Sequence, residues 1–242
     1  MNCMSNPNNK KYKYTVGILI FHRTDELFEI GKKCLESVLA SCDRENTQII
    51  IADNGSTKRS DYWVENSDIY VRYAENRGVS AGWNAILKMA DGEFINILGD
   101  DTEVKPGWLD AMSECFDNQD CGVSNPYVEH LPLGVGIKQG YKWFSGACFM
   151  IKRSVLEKVG YFRQDLYFPT NFEDTDYWCR VMKAGYKLYT NYKTKVRHLE
   201  GQTTKATDLD VAKQGTRTAF LKEWGFDPVP YFCQDKNIED VL

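Results

Sequence analysis

"INILGDDTEVKPGW", residues Ile95–Trp108, opens as a buried strand and closes as an acidic turn. Ile95, Ile97 and Leu98 form an apolar run, Gly99 interrupts it, and Asp100, Asp101 and Glu103 follow almost side by side. Like charges packed this closely repel, and they hold together best around a cation. Two readings stand open on these residues alone. The strand end is built to grip a metal ion, or it is a solvated turn in which Thr102 or Glu103 starts the next helix.

Outward from this stretch the chain alternates regularly. "YTVGILIF" (Tyr14–Phe21) is a nearly continuous apolar run, suited to a central parallel strand. A helix is predicted over 26–41, with Leu27, Ile30, Cys34 and Val38 on one face. "TQIIIADNG" and "IYVRYAE" read as strands, and Val79, Trp83, Ile86, Leu87 and Ala90 share one side of another helix. With "EFINILG" as the fourth strand, the β-α-β-α-β order predicts an α/β fold: a Rossmann-like, mostly parallel sheet with helices on both faces.

After Pro106 the alternation weakens. "GWLDAMSECF" reads as a helix, and "GVSNPYVE" and "WFSGACFMIK" as strands around a Gly-rich loop. Ser154 and Glu157 have the spacing of a capping box. "FEDTDYWCRVMKAGYKL" reads as an acidic helix start, a helix and a Gly185 stop. A strand ending at His198, a helix near 208–224 and an irregular "WGFDPVPYF" complete a mixed-sheet second half. The simplest organisation is a lead-in over 1–12, one domain over 13–226 (with two halves that meet at 104/105) and a tail over 227–242.

Composition is that of an ordinary globular chain, 43% hydrophobic and 26% charged with net charge −4. No basic stripe points to nucleic acid. No apolar run approaches the ~20 residues of a membrane helix, which leaves only peripheral membrane attachment open. Eight scattered cysteines without a C-x-x-C pair, and only three histidines, argue against a zinc site. Cys34, Cys148 and Cys179 lie in apolar segments and read as buried thiols, which suits a reducing, cytoplasmic setting.

Ligands of open α/β sheets bind beyond the carboxyl ends of the strands. Three such ends are polar here: "HRTDE", "DNGSTK" and "GDDTE". Neither G-x-G-x-x-G nor G-K-[ST] is present, which disfavours a dinucleotide site and a P-loop. "VGILIFHR", "IIIADNGSTK", "ENRGVSAGWNAILKMADGEFINILGDDTEVKPGWL", "GACFMIKRSVLEKVGYF" and "FEDTDYWCRVMKAGYKL", in that order, resemble the family 2 glycosyltransferases of the GT-A fold, with the flavour of rhamnosyltransferase-like members. The resemblance spans roughly 14–226.

The resemblance implies a set of roles. Asp101 would hold Mn²⁺ or Mg²⁺ against the two phosphates of a nucleotide-sugar, with His198 on the metal or the diphosphate. Gly99 stands where the family usually has a first aspartate, so Asp100 would help Asp101 hold the metal, or contact the ribose or a metal-bound water. Asp53 and Asn54, with Phe21, His22 and Arg23, would face the base and ribose. Asp53 also reads as an Asx-turn residue bracing Gly55. Arg77 and Gly78 precede a helix N-terminus, which favours anions. Asp174 would be the general base of an inverting transfer, with Asp176 as runner-up and Glu173 beside the acceptor. Both aspartates and Glu173 also read as ordinary helix-start acids. Phe172, Tyr177 and Trp178 would suit a sugar ring, and Trp143, Gly146 and Ala147 would line the acceptor wall.

The expectation is therefore a metal-dependent inverting glycosyltransferase. It would take a nucleotide-sugar, most naturally a UDP-sugar, and a glycan, lipid-linked or protein acceptor. Two rivals remain: a nucleotidyltransferase making an activated sugar, and a non-catalytic sugar- or nucleotide-binding module.

Overall fold

The alternating first half folds as its apolar periods require. β1 (Tyr14–Ile20), β2 (Thr47–Asp53), β3 (Ile69–Arg72) and β4 (Phe94–Gly99) lie parallel in the order β3-β2-β1-β4. The computed structural model describes residues 12–58, 60–129, 131–140, 144–202, 213–233 and 238–242. α1 (Asp25–Ser41) begins where the Thr24 hydroxyl accepts the Leu27 N–H, and it buries Leu27, Phe28, Gly31, Cys34, Leu35 and Val38. Ile30, expected on that face, is only half-buried. A short α2 (Ser60–Glu65), not foreseen, precedes β3, and α3 (Val79–Met89) crosses from β3 to β4.

The second half completes one sheet. β5 (Thr102–Glu103) is two residues long, and α4 (Trp108–Ser113) follows it. β6 (Cys121–Val128), β7 (Ile137–Gln139), β8 (Cys148–Lys152) and β9 (Lys187–His198) come after. β8 runs antiparallel to β4 and to β6, β9 runs parallel to β6, and β5 and β7 both pair antiparallel with β9. Pro126 sits in β6 where the register with β9 shifts, which is where a strand tolerates a residue without an N–H. α5 (Arg153–Val159) and α6 (Glu173–Lys183) flank β8 and β9, and α7 (Lys213–Trp224) and α8 (Val229–Cys233) follow.

Several expectations are corrected. Thr102 and Glu103 start no helix but form β5, because their backbone pairs with His198 and Arg197. Ser154 is not a cap: α5 starts one residue earlier, after Lys152, with no side-chain cap bond. The strand expected from Trp143 begins only at Cys148, and Gly146–Ala147 form a turn. The "VPYF" segment is helical in α8.

Each face of the sheet carries its own core. Trp83, Ile86, Phe149, Tyr177 and Trp178 pack on one side, and Phe28, Leu35, Trp63, Trp108 and Met112 on the other. The buried cysteines Cys34, Cys148 and Cys179 are free thiols, and burial pushes the Cys148 pKa up to about 12. β1 sends its connections to β2 on one side while β4 lies on the other, so the strand order reverses between β1 and β4. No helix among the described residues is long and apolar enough to cross a membrane.

Candidate active site

A cavity of about 570 Å³ opens at that reversal, beyond the carboxyl ends of β1, β2 and β4. Phe21, Asn54, Asp100, Asp101, Gly146, Ala147, Glu173, Asp174 and His198 all line it, so the structure gathers most of the residues singled out from the sequence.

The acidic turn is set by the two-residue β5–β9 ladder. Thr102 pairs with His198, and the Leu199 N–H donates to the Asp101 carbonyl at 3.0 Å. That ladder brings the His198 Nε2 to 3.2 Å from Asp101 Oδ1, across 97 residues of sequence. Asp100 turns the other way, onto the ring of His22 at 2.8 Å. Burial pushes the Asp100 carboxyl pKa up, and the His22 hydrogen bond partly restores it. The Gly99 N–H donates to the Ala147 carbonyl at 2.7 Å, which fastens the end of β4 to the turn before β8.

That turn faces the start of α6. Buried Asn125 on β6 accepts the Ser145 N–H at 2.7 Å and donates to the carbonyls of Ser145 and Cys148. Gly146 is thereby held against Asp174: a Cβ built on it would stand 2.5 Å from Asp174 Oδ2. Asp174 Oδ1 accepts from the Thr175 N–H at 2.6 Å and its hydroxyl at 3.1 Å. Glu173 is 5% exposed; one carboxyl oxygen accepts from Thr170, and the other has no partner among the described residues. Burial drives both carboxyls upward, Glu173 to about 8 with a further push from the Asp174 charge. Asp174 reaches the cavity and has two donors on one oxygen, so it carries the negative charge of the pair while Glu173 keeps its proton. Asn171 and Phe172, just before them, have positive φ of 81° and 69°, strain of the kind that gathers at working sites.

Other expected site residues lie elsewhere. His22 is fully buried behind the cavity wall. Asp53 does brace its loop, accepting from the Ser56 N–H at 2.7 Å and the Tyr70 hydroxyl at 2.5 Å, and it is not on the cavity wall. Arg23 is exposed, its guanidinium 5.6 Å from the Phe21 ring. Arg77 gives its N–H to Asn54, and its guanidinium turns outward beside Glu75. Gly78 serves close packing: with φ of 84° it lets the Pro169 carbonyl accept the Val79 N–H, which occupies the first donor of α3. Asp176 is not on the cavity. It is fully buried and receives Arg163, Arg180 at 3.0 Å, Trp224 at 2.9 Å and Tyr167 at 3.2 Å. Tyr177 and Trp178 face the core, because helical period turns them toward the sheet, and only Phe172 of that aromatic set borders the cavity. Trp143 lies outside the described residues.

Pro169, Thr170, Asn171, Gln202 and Val229 also line the cavity and were not foreseen. The "FPTN" loop carried the only signal, a polar break just before the acidic helix start. Among the described residues no three acidic, His or Cys side chains come together as a ready-made metal cluster.

Residues 25–128 match the model of glycosyl transferase family 2. The uncharacterized protein y4gI of Sinorhizobium fredii is 24% identical over 202 residues, which covers 67% of this chain and 22% of y4gI. The glycosyltransferase GlyG of Streptococcus pneumoniae is 27% identical over 106 residues, 40% of this chain and 35% of GlyG. The chain therefore spans about a fifth to a third of the length of these relatives. Among solved structures, GalNAc-T7 with UDP, GalNAc and Mn²⁺ superposes at a TM-score of 0.63 and 16% identity, over 80% of this chain and 44% of that one. S. aureus TarS 1-349 superposes at 0.61 and 14%, over 94% and 76%. These likenesses establish the GT-A fold.

Proposed function

Because residues 25–128 match the model of glycosyl transferase family 2 and the chain is built on the GT-A fold, we propose that it transfers a sugar from a nucleoside-diphosphate donor to a hydroxyl acceptor, with inversion and with a divalent metal ion. One observation carries the reading. Asp101 with His198, and Asp174 with Gly146, line the same cavity at the reversal of strand order.

A carboxylate and an imidazole 3.2 Å apart are a fitting partial donor set for Mn²⁺ or Mg²⁺. With only two such side chains, the donor diphosphate and water would supply the other ligands. The metal, when bound, offsets the charge that grows on the departing diphosphate. GalNAc-T7 was crystallised with UDP and Mn²⁺, which supports a UDP-sugar and manganese as the first pair to test.

The chain's own residues supply the rest. Phe21 offers a ring at the cavity edge, with the Arg23 guanidinium 5.6 Å from its centroid, as a platform for a base. Asn54 donates to Asn76 at 2.8 Å and accepts from the Arg77 N–H at 2.8 Å, which holds the β2 and α3 ends together on the donor side. Asp174 takes the proton from the acceptor hydroxyl as that oxygen bonds to the anomeric carbon. The bond from that carbon to the diphosphate oxygen breaks and its electron pair leaves with the diphosphate. A carboxylate whose pKa burial has raised is a stronger base for this step than a solvated one. Protonated Glu173 can donate to the acceptor without adding a second charge.

The test is donor consumption with a panel of nucleotide-sugars, each with Mn²⁺ and with chelator. Metal-dependent release of nucleoside diphosphate, lost in Asp101→Asn and in Asp174→Asn, is the expected result. Pyrophosphate release from a nucleoside triphosphate would point instead to a nucleotidyltransferase, and binding without turnover to a non-catalytic module.

A further inference from the structure

Two histidines bracket the acidic turn, and only His198 borders the cavity. His22 is wholly buried, yet from the end of β1 it contacts the ends of two other strands. Its N–H donates to the Ser56 hydroxyl at 2.8 Å, and its carbonyl accepts the Thr57 N–H at 3.0 Å, both in the loop after β2. Its Nε2 donates to Asp100 Oδ2 at 2.8 Å, in the turn after β4. The ring has little room to move. Trp63 lies 5.2 Å away and Phe28 6.3 Å away edge-on, while a Cβ on Gly31 of α1 would stand 2.5 Å from its Cε1. Nδ1 has no hydrogen-bond partner among the described residues, so the ring's one hydrogen bond there is to Asp100.

We infer that His22 is a positioning residue: it fixes the Asp100 carboxylate and thereby sets the turn in which the adjacent Asp101 meets His198 on the cavity wall. The two aspartates are successive, so their peptide unit transmits the constraint. Asp100 fixed on one side and Asp101 fixed on the other leave the turn one arrangement, made before any ligand arrives. Side chains that orient a ligating group from behind typically matter 10–100-fold in metal affinity or activity. A histidine packed here for bulk alone would need no donor on Nε2.

The inference rests on the proposed metal role of Asp101, and the experiment separates the two. Mn²⁺ binding in the presence of UDP is titrated by electron paramagnetic resonance for wild type, His22→Phe and His22→Gln. Circular dichroism melts fix a temperature at which all are folded. Phenylalanine keeps the packing and removes the donor, whereas glutamine keeps an N–H of similar reach. The expected result is about 10–100-fold weaker Mn²⁺ binding in His22→Phe and recovery of most of that loss in His22→Gln. Wild type that binds no Mn²⁺ with UDP overturns the proposed function. Wild type that binds, with His22→Phe equal to it or with His22→Gln as weak as His22→Phe, overturns the positioning role alone. Should His22→Phe fail to fold, His22→Leu, which also lacks the donor, replaces it in a double-mutant cycle with Asp100→Asn on Mn²⁺ affinity, and independent effects of the two substitutions would overturn the link.

Discussion

Replacing Gly146 with alanine should cripple transfer while sparing donor binding. The backbone permits the change, because Gly146 is not among the glycines with positive φ. The obstacle is Asp174. The new Cβ would lie 2.5 Å from Oδ2 and 3.2 Å from both the Cβ and Cγ of that aspartate. Carbon–oxygen contacts settle near 3.3–3.6 Å, so the carboxylate must retreat by about 0.8 Å. It cannot simply rotate, because Oδ1 is held by the Thr175 N–H and hydroxyl. Misplacing a reacting group by about 1 Å costs roughly 10²-fold in rate, or about 2.7 kcal/mol of barrier. Overpacking at the same spot should cost about 1–3 kcal/mol of stability, a few degrees of melting temperature. The assay is kcat at saturating donor and acceptor, with UDP affinity by calorimetry alongside. A folded Gly146→Ala enzyme with wild-type kcat would refute the placement of Asp174 as base. Equal loss of UDP affinity would move Gly146 to the donor side.

Asp176 and Asp174 should separate by stability. Asp176→Ala removes the acceptor shared by Arg163, Arg180 and the Trp224 N–H and leaves a cavity in its place, and should cost about 2–4 kcal/mol in a denaturant melt, whereas Asp174→Asn should melt within about 1 kcal/mol of wild type. Glu173 should tie stability to pH. Its folded pKa is raised to about 8, so between the unfolded value near 4.5 and about 8 the native state holds a proton that the unfolded chain has released. Stability contributed by the neutral acid is complete below that window and declines as pH rises through it. Glu173→Gln should flatten the slope of melting temperature against pH, and parallel curves for the two proteins would count against the buried proton. His198→Ala should raise the Mn²⁺ concentration for half-maximal activity about 10–100-fold with little change in melting temperature, and an unaltered metal requirement would remove His198 from the site.

The parallel half of the sheet is legible because three apolar runs, one alternating strand and two helical faces repeat with unambiguous periods, and the strands fall where those patterns do. The acidic turn was legible as chemistry but not as shape. A two-residue ladder such as Thr102–Glu103 on β9 has no propensity of its own, and it forms only because the neighbouring backbone is already aligned. Tyr177 and Trp178 were misassigned to the sugar because adjacency to Asp174 in sequence was read as adjacency in space. One helical turn instead carries them to the sheet. The resemblance puts His22 against the base and ribose, yet its ring points into the gap that Gly31 leaves on α1. Arg77 was drawn to a helix N-terminus whose first donor the Pro169 carbonyl had taken, a contact made by a loop some ninety residues later. Val229 and Gln202 reach the cavity from distant segments and carried no local motif.

The central claim is that the end of β4, with His198, grips a cation that in turn grips a sugar-bearing diphosphate. A crystal soaked with Mn²⁺ and UDP and measured at the manganese absorption edge tests it most directly. The account predicts an anomalous peak within coordination distance of an Asp101 carboxylate oxygen and a His198 ring nitrogen, with the diphosphate on its far side. A peak away from both residues, or UDP seated outside this cavity, would contradict it.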